Sequence, residues 1–426
     1  MERIYRPRVV DAEISKRLKS IGAIVLEGAK WCGKSTTAEH HSKSAVFMDD
    51  PRRRSQYILF SEDNPELILD GPTPRLIDEW QLAPKIWDAI RYTIDHRGGM
   101  GQFILTGSAK PADRSGISHS GTGRFAWLRM RPMSLFESND STGDISLAGL
   151  FANPQTIVGS EAKSDLQRIA FLLCRGGWPV INDLAEDVAL SPAKDYYDAV
   201  VNVDIRQVDG VERSVERAKR LMRSYARFQG TQTSIRQIVD DINGGGTNVI
   251  EDKTVRSYLD VLKSMFVIED MPAWNPNLKS KTAIRSAETR YFVDPSIATA
   301  AMGIGPGDLM NDLKTFGFLF ETLCVRDLRI YSQPLGGNVY HYRDKNGLEC
   351  DAVVHLPNGK YALIEIKLGG EKAIEEAANN LQRLVSKIDY DRMAQPSFLM
   401  VLTASGSFAY RRKDNVLVVP VSTLGV

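Results

Sequence analysis

The feature that most restricts this chain is the run Gly28-Ala29-Lys30-Trp31-Cys32-Gly33-Lys34-Ser35, placed directly after the apolar stretch Ala23 to Leu26. It matches GxxxxGK[ST] at every fixed position, and it comes after a strand pattern and before a segment able to form a helix. That is the context in which the motif has a mechanism. The glycines allow backbone N–H groups to converge on phosphate oxygens at the start of a helix, where the backbone dipole favours an anion. The candidate nucleotide contacts are therefore Gly28, Ala29, Lys30, Trp31, Cys32, Gly33, Lys34, Ser35 and Thr36. Lys34 is expected on the β- and γ-phosphates of ATP, and the Ser35 hydroxyl on Mg2+.

Such a site also needs a carboxylate at the end of a neighbouring buried strand. Arg75-Leu76-Ile77-Asp78-Glu79 offers it: Asp78 is the candidate magnesium ligand, and Glu79 the candidate general base for the attacking water. The next apolar run, Phe103 to Thr106, ends in Gly107-Ser108, so Ser108 is expected at the same sheet edge, where it would sense the γ-phosphate. Ser120-Gly121-Thr122-Gly123-Arg124 presents an arginine on a glycine-rich loop, and Arg124 is a candidate for stabilising transferring phosphoryl charge, in cis or in trans.

Short apolar runs at Ala23 to Leu26, Ala45 to Met48, Arg75 to Ile77 and Gln102 to Thr106, separated by crossover segments, predict a parallel sheet covered by helices. The fold expectation is an α/β multidomain chain. Residues 1–155 are expected to form a P-loop domain of AAA type, residues 156–305 a helical and winged-helix domain, and residues 306–426 a third, α/β domain. The middle assignment rests on two short helices, Ser234 to Ile242 and Thr254 to Met265, broken by Gly244-Gly245-Gly246 and followed by Phe266-Val267-Ile268 as a strand. Lys253, Arg256 and Lys263 on the second helix, with Lys279, Lys281 and Arg285 beyond it, are candidate DNA contacts.

The charge balance narrows the partners. Lys plus Arg number 54 against 53 Asp plus Glu, a formal net charge of +1, so any nucleic-acid contact must use a local patch. Four scattered cysteines without a CxxC pair fit reduced thiols and no zinc site. The charged N-terminus and the absence of a long apolar run point to a cytoplasmic protein without membrane partners. A homo-oligomer is a further expectation.

The loop, Leu76-Ile77-Asp78-Glu79-Trp80-Gln81, Leu105-Thr106-Gly107-Ser108, Gly123-Arg124, Arg131-Pro132-Met133-Ser134-Leu135 and Gly176-Gly177-Trp178-Pro179 together resemble a widespread group of prokaryotic AAA-superfamily ATPases with a C-terminal domain of unknown function. The likeness extends over nearly the full length and implies ATP binding; the residue after Asp-Glu is usually aliphatic there, and here it is Trp80. In the C-terminal part, Asp351 on one arm of a hairpin turning at Pro357-Asn358-Gly359 faces Glu365 and Lys367 on the other. This resembles the PD-(D/E)xK nuclease core, with Asp351 and Glu365 as metal ligands, Lys367 beside them and Glu321 as an extra acid; the usual proline before the first acid is absent. Three functions stay open on sequence: an ATPase coupled to nucleic-acid handling, an ATP-gated metal-dependent nuclease, and a nucleotide-switched protein-binding scaffold.

Overall fold

The computed structural model describes residues 5–108, 120–155, 161–162, 165–207, 211–244, 249–275, 287–391 and 393–426. The chain divides into two compact units. The first comprises Met1–Pro132 with Val203–Arg213 and Asp260–Val267, and the second Met133–Asn202, Ser214–Leu259 and Ile268–Val426. Lys279, Lys281 and Arg285 lie outside the described residues, as do Gly245 and Gly246.

The first unit is built on five parallel strands: β1 (Ala23–Glu27), β2 (Ser44–Phe47), β3 (Arg75–Asp78), β4 (Phe103–Gly107) and β5 (Phe125–Arg129), in the order β2-β3-β4-β1-β5. Strand side chains alternate between faces, and both faces of this sheet are covered. Val25, Ile77, Phe103 and Leu105 pack with Trp80, Trp87 and Ile90 on one side. Ile24, Leu26, Leu76 and Ile104 pack with Val10, Ile14 and Ala38 on the other. The helices include α1 (Val10–Leu18), α2 (Lys34–His40) and α3 (Ile86–Arg97). Trp80, the departure from the usual aliphatic residue, is buried against Trp87 with ring centroids 5.0 Å apart. One expectation needs correcting: β3 is not the neighbour of the loop strand β1, because β4 lies between them.

The second unit holds the helical middle and the C-terminal sheet. Ser214 caps α4 (Val215–Arg227), and a Ser234/Gln237 capping box starts α5 (Ile235–Asn243), as S-x-x-Q before an apolar run specifies. After α6 (Asp252–Ser264), of which the part from Asp260 onward belongs to the first unit, the chain pairs antiparallel with itself, Ile268 with Phe292 and Met271 with Thr289. Phe266, at φ 59°, precedes this pairing, so the extended segment begins at Ile268 and not at Phe266.

Two helices, Pro295–Met302 and Pro306–Asn311, lead to α7 (Leu313–Ser332), then β6 (Asn338–Arg343), β7 (Glu349–His355), β8 (Tyr361–Lys367), α8 (Glu371–Val385), β9 (Phe398–Thr403), β10 (Tyr410–Arg411) and β11 (Val416–Pro420). The sheet order is β10-β11-β9-β8-β7-β6. The hairpin of β7 and β8 turns where Pro357-Asn358-Gly359 predicts it, while β6, β9, β10 and β11 extend the sheet beyond the two strands expected. Leu363, Val401 and Val416 pack against Ala377, Leu381 and Leu384 of α8. Around α7, Arg326 is buried between Asp294 at 2.7 Å and Asp327 at 2.8 Å. Those carboxylates also accept the backbone N–H groups of Gly177 and Leu135, so two of the sequence signatures converge on one buried ionic cluster.

Candidate functional site

The loop Gly28 to Ser35 leaves the C-terminal end of β1 and enters α2. The first glycine is required sterically: a Cβ on Gly28 would stand 2.0 Å from the Met130 carbonyl oxygen. Gly33, at φ 97°, caps α2 in the left-handed region, where a side chain is disfavoured. Lys34 is buried, and its ammonium donates to the Ala29 carbonyl at 2.8 Å. It therefore already lies along the loop whose N–H groups would meet the phosphates. Lys30 is held by Asp204 at 2.6 Å. Trp31 is half exposed at φ 67°, an uncommon conformation for a bulky residue.

Asp78 ends β3 at the same sheet edge. Its carboxylate accepts the Thr106 hydroxyl of β4, with the Ser35 hydroxyl of the loop beside it. Burial raises Asp78 above the ordinary carboxylate range, partly offset by those two hydroxyls. A hydroxyl and a carboxylate already in contact are the oxygen donors a hard cation such as Mg2+ takes from a protein that leaves other positions to water and phosphate, so Ser35 and Asp78 fit that ion. Glu79 sits at φ 52°. Its carboxylate accepts the Ser108 hydroxyl at 3.0 Å and the Gln81 amide, and its own N–H donates to Thr106 at 3.2 Å. Lys34, Ser35, Asp78, Glu79 and Ser108 thus stand at one edge of the sheet.

Arg124 does not join them. It immediately precedes β5, which runs parallel to β1, and its carbonyl accepts the N–H of Ala23, the first residue of β1. A five-residue strand spans roughly 16 Å, so Arg124 lies at the opposite edge of the sheet, where its guanidinium bonds Asp95 of α3 at 2.8 Å. A role in cis at the same loop is excluded by the direction of the strand.

In the second unit the hairpin brings Asp351, Glu365 and Lys367 together. Lys367 Nζ lies 2.8 Å from Asp351 and 2.7 Å from Glu365, and the N–H of Ile366 donates to Asp351 at 2.8 Å. Burial and then the Asp351 charge push Glu365 up to about 8, against the pull of Lys367 and Asn380. Burial opposes the charge on Lys367, but the two carboxylates outweigh it and hold the ammonium above its usual range. Glu321 accepts the Tyr291 hydroxyl and is raised by burial and by Asp351. An open cleft of about 450 Å³ borders the group, lined by Glu365, Lys367, Glu376, Asn379, Asn380 and Arg383. Among the described residues, no group of three or more His, Cys, Asp or Glu side chains is arranged to hold a metal ion. The two carboxylates expected to ligate one are bridged by Lys367.

Several residues at these sites escape a motif search. Arg8 reaches the loop carbonyl of Cys32, Asp204 holds Lys30, and Asn380 of α8 donates to Glu365 at 2.7 Å. They lie 24, 174 and 15 residues from the groups they contact.

Among the described residues no helix is long and apolar enough to cross a membrane. The family model described as "Domain of unknown function (DUF8612)" matches residues 166–308, and "Domain of unknown function (DUF4143)" matches residues 316–424. Two curated relatives, the uncharacterized proteins Mb2031c of Mycobacterium bovis and Rv2008c of Mycobacterium tuberculosis, are each 21% identical over 415 residues, covering 97% of this chain and 83% of theirs. A solved structure, the Walker-type ATPase PABY2304 of Pyrococcus abyssi, is 14% identical and covers 68% of this chain and 94% of its own, with a TM-score of 0.39, too low to bear on the fold. Residues 20–139 match the model described as "AAA domain"; with the loop, the Asp78-Glu79 strand end and the five-stranded parallel sheet, this identifies the N-terminal part of the chain as a P-loop ATPase domain of the AAA superfamily.

Proposed function

We propose that the chain binds ATP with magnesium, hydrolyses it, and couples hydrolysis to nucleic-acid handling. The observation that carries the ATPase reading is the convergence of Lys34, Ser35, Asp78, Glu79 and Ser108 at one sheet edge, with Asp78 held by the Thr106 hydroxyl. Lys34 would exchange the Ala29 carbonyl for phosphate oxygens, a stronger charge-assisted bond. Ser35 and Asp78 would hold magnesium, which supplies charge neutralisation on the phosphates. Glu79 would take a proton from water, oriented by Gln81 and Ser108.

The nucleic-acid part is supported by the order α4, α5, α6 followed by antiparallel pairing, which suits a winged helix, and by Lys253 and Lys263 along α6. Arg256 is engaged by Asp252 at 2.8 Å, an exposed pair that contributes little and exchanges readily. An ATPase assay with and without single- and double-stranded DNA tests the coupling. Stimulation by DNA supports it; turnover indifferent to DNA favours the nucleotide-switched scaffold.

A second reading, an ATP-gated nuclease of restriction-endonuclease-like fold, is favoured by the Asp351, Glu365 and Lys367 cluster beside its cleft. Metal binding there requires Lys367 to release at least one carboxylate. Cleavage of DNA with magnesium or manganese, lost in Asp351→Asn, tests it.

A further inference from the structure

A phosphate-binding loop turns successive N–H groups inward, and this turns its carbonyls outward, where each buried one needs a donor. The Ala29 carbonyl has Lys34. The Cys32 carbonyl, one residue before Gly33, has a donor from outside the loop: Arg8 Nη1 at 2.7 Å. The same guanidinium donates through Nη2 to the Arg131 carbonyl at 2.8 Å, just past the end of β5. Arg8 is only 7% exposed. Its own N–H is fixed by Asp11 Oδ2 at 2.7 Å, and α1 is anchored beneath the loop by Val10 and Ile14, which share an apolar cluster with Cys32 and Met130.

We infer that Arg8 is a positioning residue for nucleotide binding: it pins the Cys32 carbonyl outward, so that the loop presents N–H groups and no lone pair to the phosphates. The inference rests on the ATP reading of the loop. The fork geometry matters, because guanidinium offers two donors in one plane, whereas an ammonium presents a point charge with no such fixed fork. One nitrogen holds the loop and the other holds the β5 exit, whose neighbour Met130 already touches Gly28 and the Cys32 thiol, the latter at 3.6 Å from the Met130 carbonyl. Without the fork the Cys32 peptide is free to rotate, and rotation would aim its oxygen at an anion. Losing a charge-assisted bond of this kind typically weakens binding by about tenfold to a hundredfold.

The test measures ATP affinity by calorimetry on the full chain for wild type, Arg8→Ala and Arg8→Lys, with thermal melting to establish that each is folded at the assay temperature. Wild type is expected to bind, Arg8→Ala to bind at least about tenfold more weakly, and Arg8→Lys to fall between. Added guanidinium ion is expected to restore part of the affinity of Arg8→Ala and to leave wild type unchanged, a response that a loss of general stability would not give. A folded Arg8→Ala that binds ATP as tightly as wild type overturns the inference. If Arg8→Ala does not fold, Arg8→Lys decides, and wild-type affinity there overturns it equally. A wild-type chain that binds no nucleotide instead refutes the ATP reading itself.

Discussion

Replacing Glu365 by glutamine should change how the stability of the second unit depends on pH. In the folded chain this carboxyl titrates at about 8 instead of the usual 4.5, because it is 3% exposed and shares its space with Asp351. The folded state therefore keeps the proton over a range in which the unfolded chain has released it. Stability is full below pH 4.5 and is lost progressively as pH rises to about 8. At ~1.36 kcal/mol per pH unit the ceiling on that loss is roughly 5 kcal/mol. Lys367 sits in the same cluster and returns part of the cost when Glu365 ionises, so about 1–3 kcal/mol is expected between pH 6 and pH 9. Glutamine keeps the shape and the acceptor for Asn380, and carries no charge. The variant should lack this loss, gaining about 1–3 kcal/mol on wild type at pH 9 while matching it to within about 1 kcal/mol at pH 6, where its amide meets Lys367 less favourably than the acid does. Urea unfolding at the two pH values and fixed ionic strength, followed by far-UV circular dichroism, measures both. Parallel pH profiles for the two proteins would refute the assignment of a buried, proton-retaining Glu365.

Further outcomes follow from the first unit. Glu79→Gln should retain ATP but lose turnover by at least about a hundredfold, read by filter binding beside phosphate release; normal turnover would sink the general-base role. Gly28→Ala should abolish ATP binding and cost about 1–3 kcal/mol in stability, since its new Cβ would collide with the fixed Met130 carbonyl; thermal melting and calorimetry report both. Arg124→Ala mixed with Lys34→Ala should regain ATPase activity if Arg124 serves a second subunit, and failure at concentrations where the chain self-associates would leave Arg124 as the partner of Asp95 alone.

What could be read in the sequence was local. The loop motif, the strand ending in Asp78-Glu79 and the Pro357-Asn358-Gly359 turn each declare themselves within a few residues, because turn chemistry and strand periodicity act at that range. Strand order does not: similar crossovers could have placed β3 next to β1, and nothing in Arg75 to Asp78 specifies that β4 intervenes. Arg124 shows the same limit from another side. Its glycine-rich flank resembles a catalytic loop, yet once Phe125–Arg129 is a parallel strand, the residue before it must lie at the edge away from the phosphates. Arg8, Asp204 and Asn380 make contacts 24, 174 and 15 residues away in sequence, and no local pattern encodes a partner at those separations. Nor could spacing reveal that Lys367 bridges Asp351 and Glu365 and so occupies both carboxylates at once.

The discontinuity of the first unit has a consequence for the chain while it is being made. Lys30 of the loop pairs with Asp204, and Arg129 at the end of β5 lies over the ring of Phe266 at 4.3 Å, so the unit is complete only when Val267 has been added. At a synthesis rate of ~5–20 residues per second, the stretch from Pro132 to Val267 takes on the order of ten seconds. For that interval the five strands exist on the ribosome without the segments that finish their packing, and a fragment ending at residue 139 never acquires them. A premature stop anywhere before residue 204 leaves a loop with its glycines and lysine in place but no Asp204 to pair with Lys30.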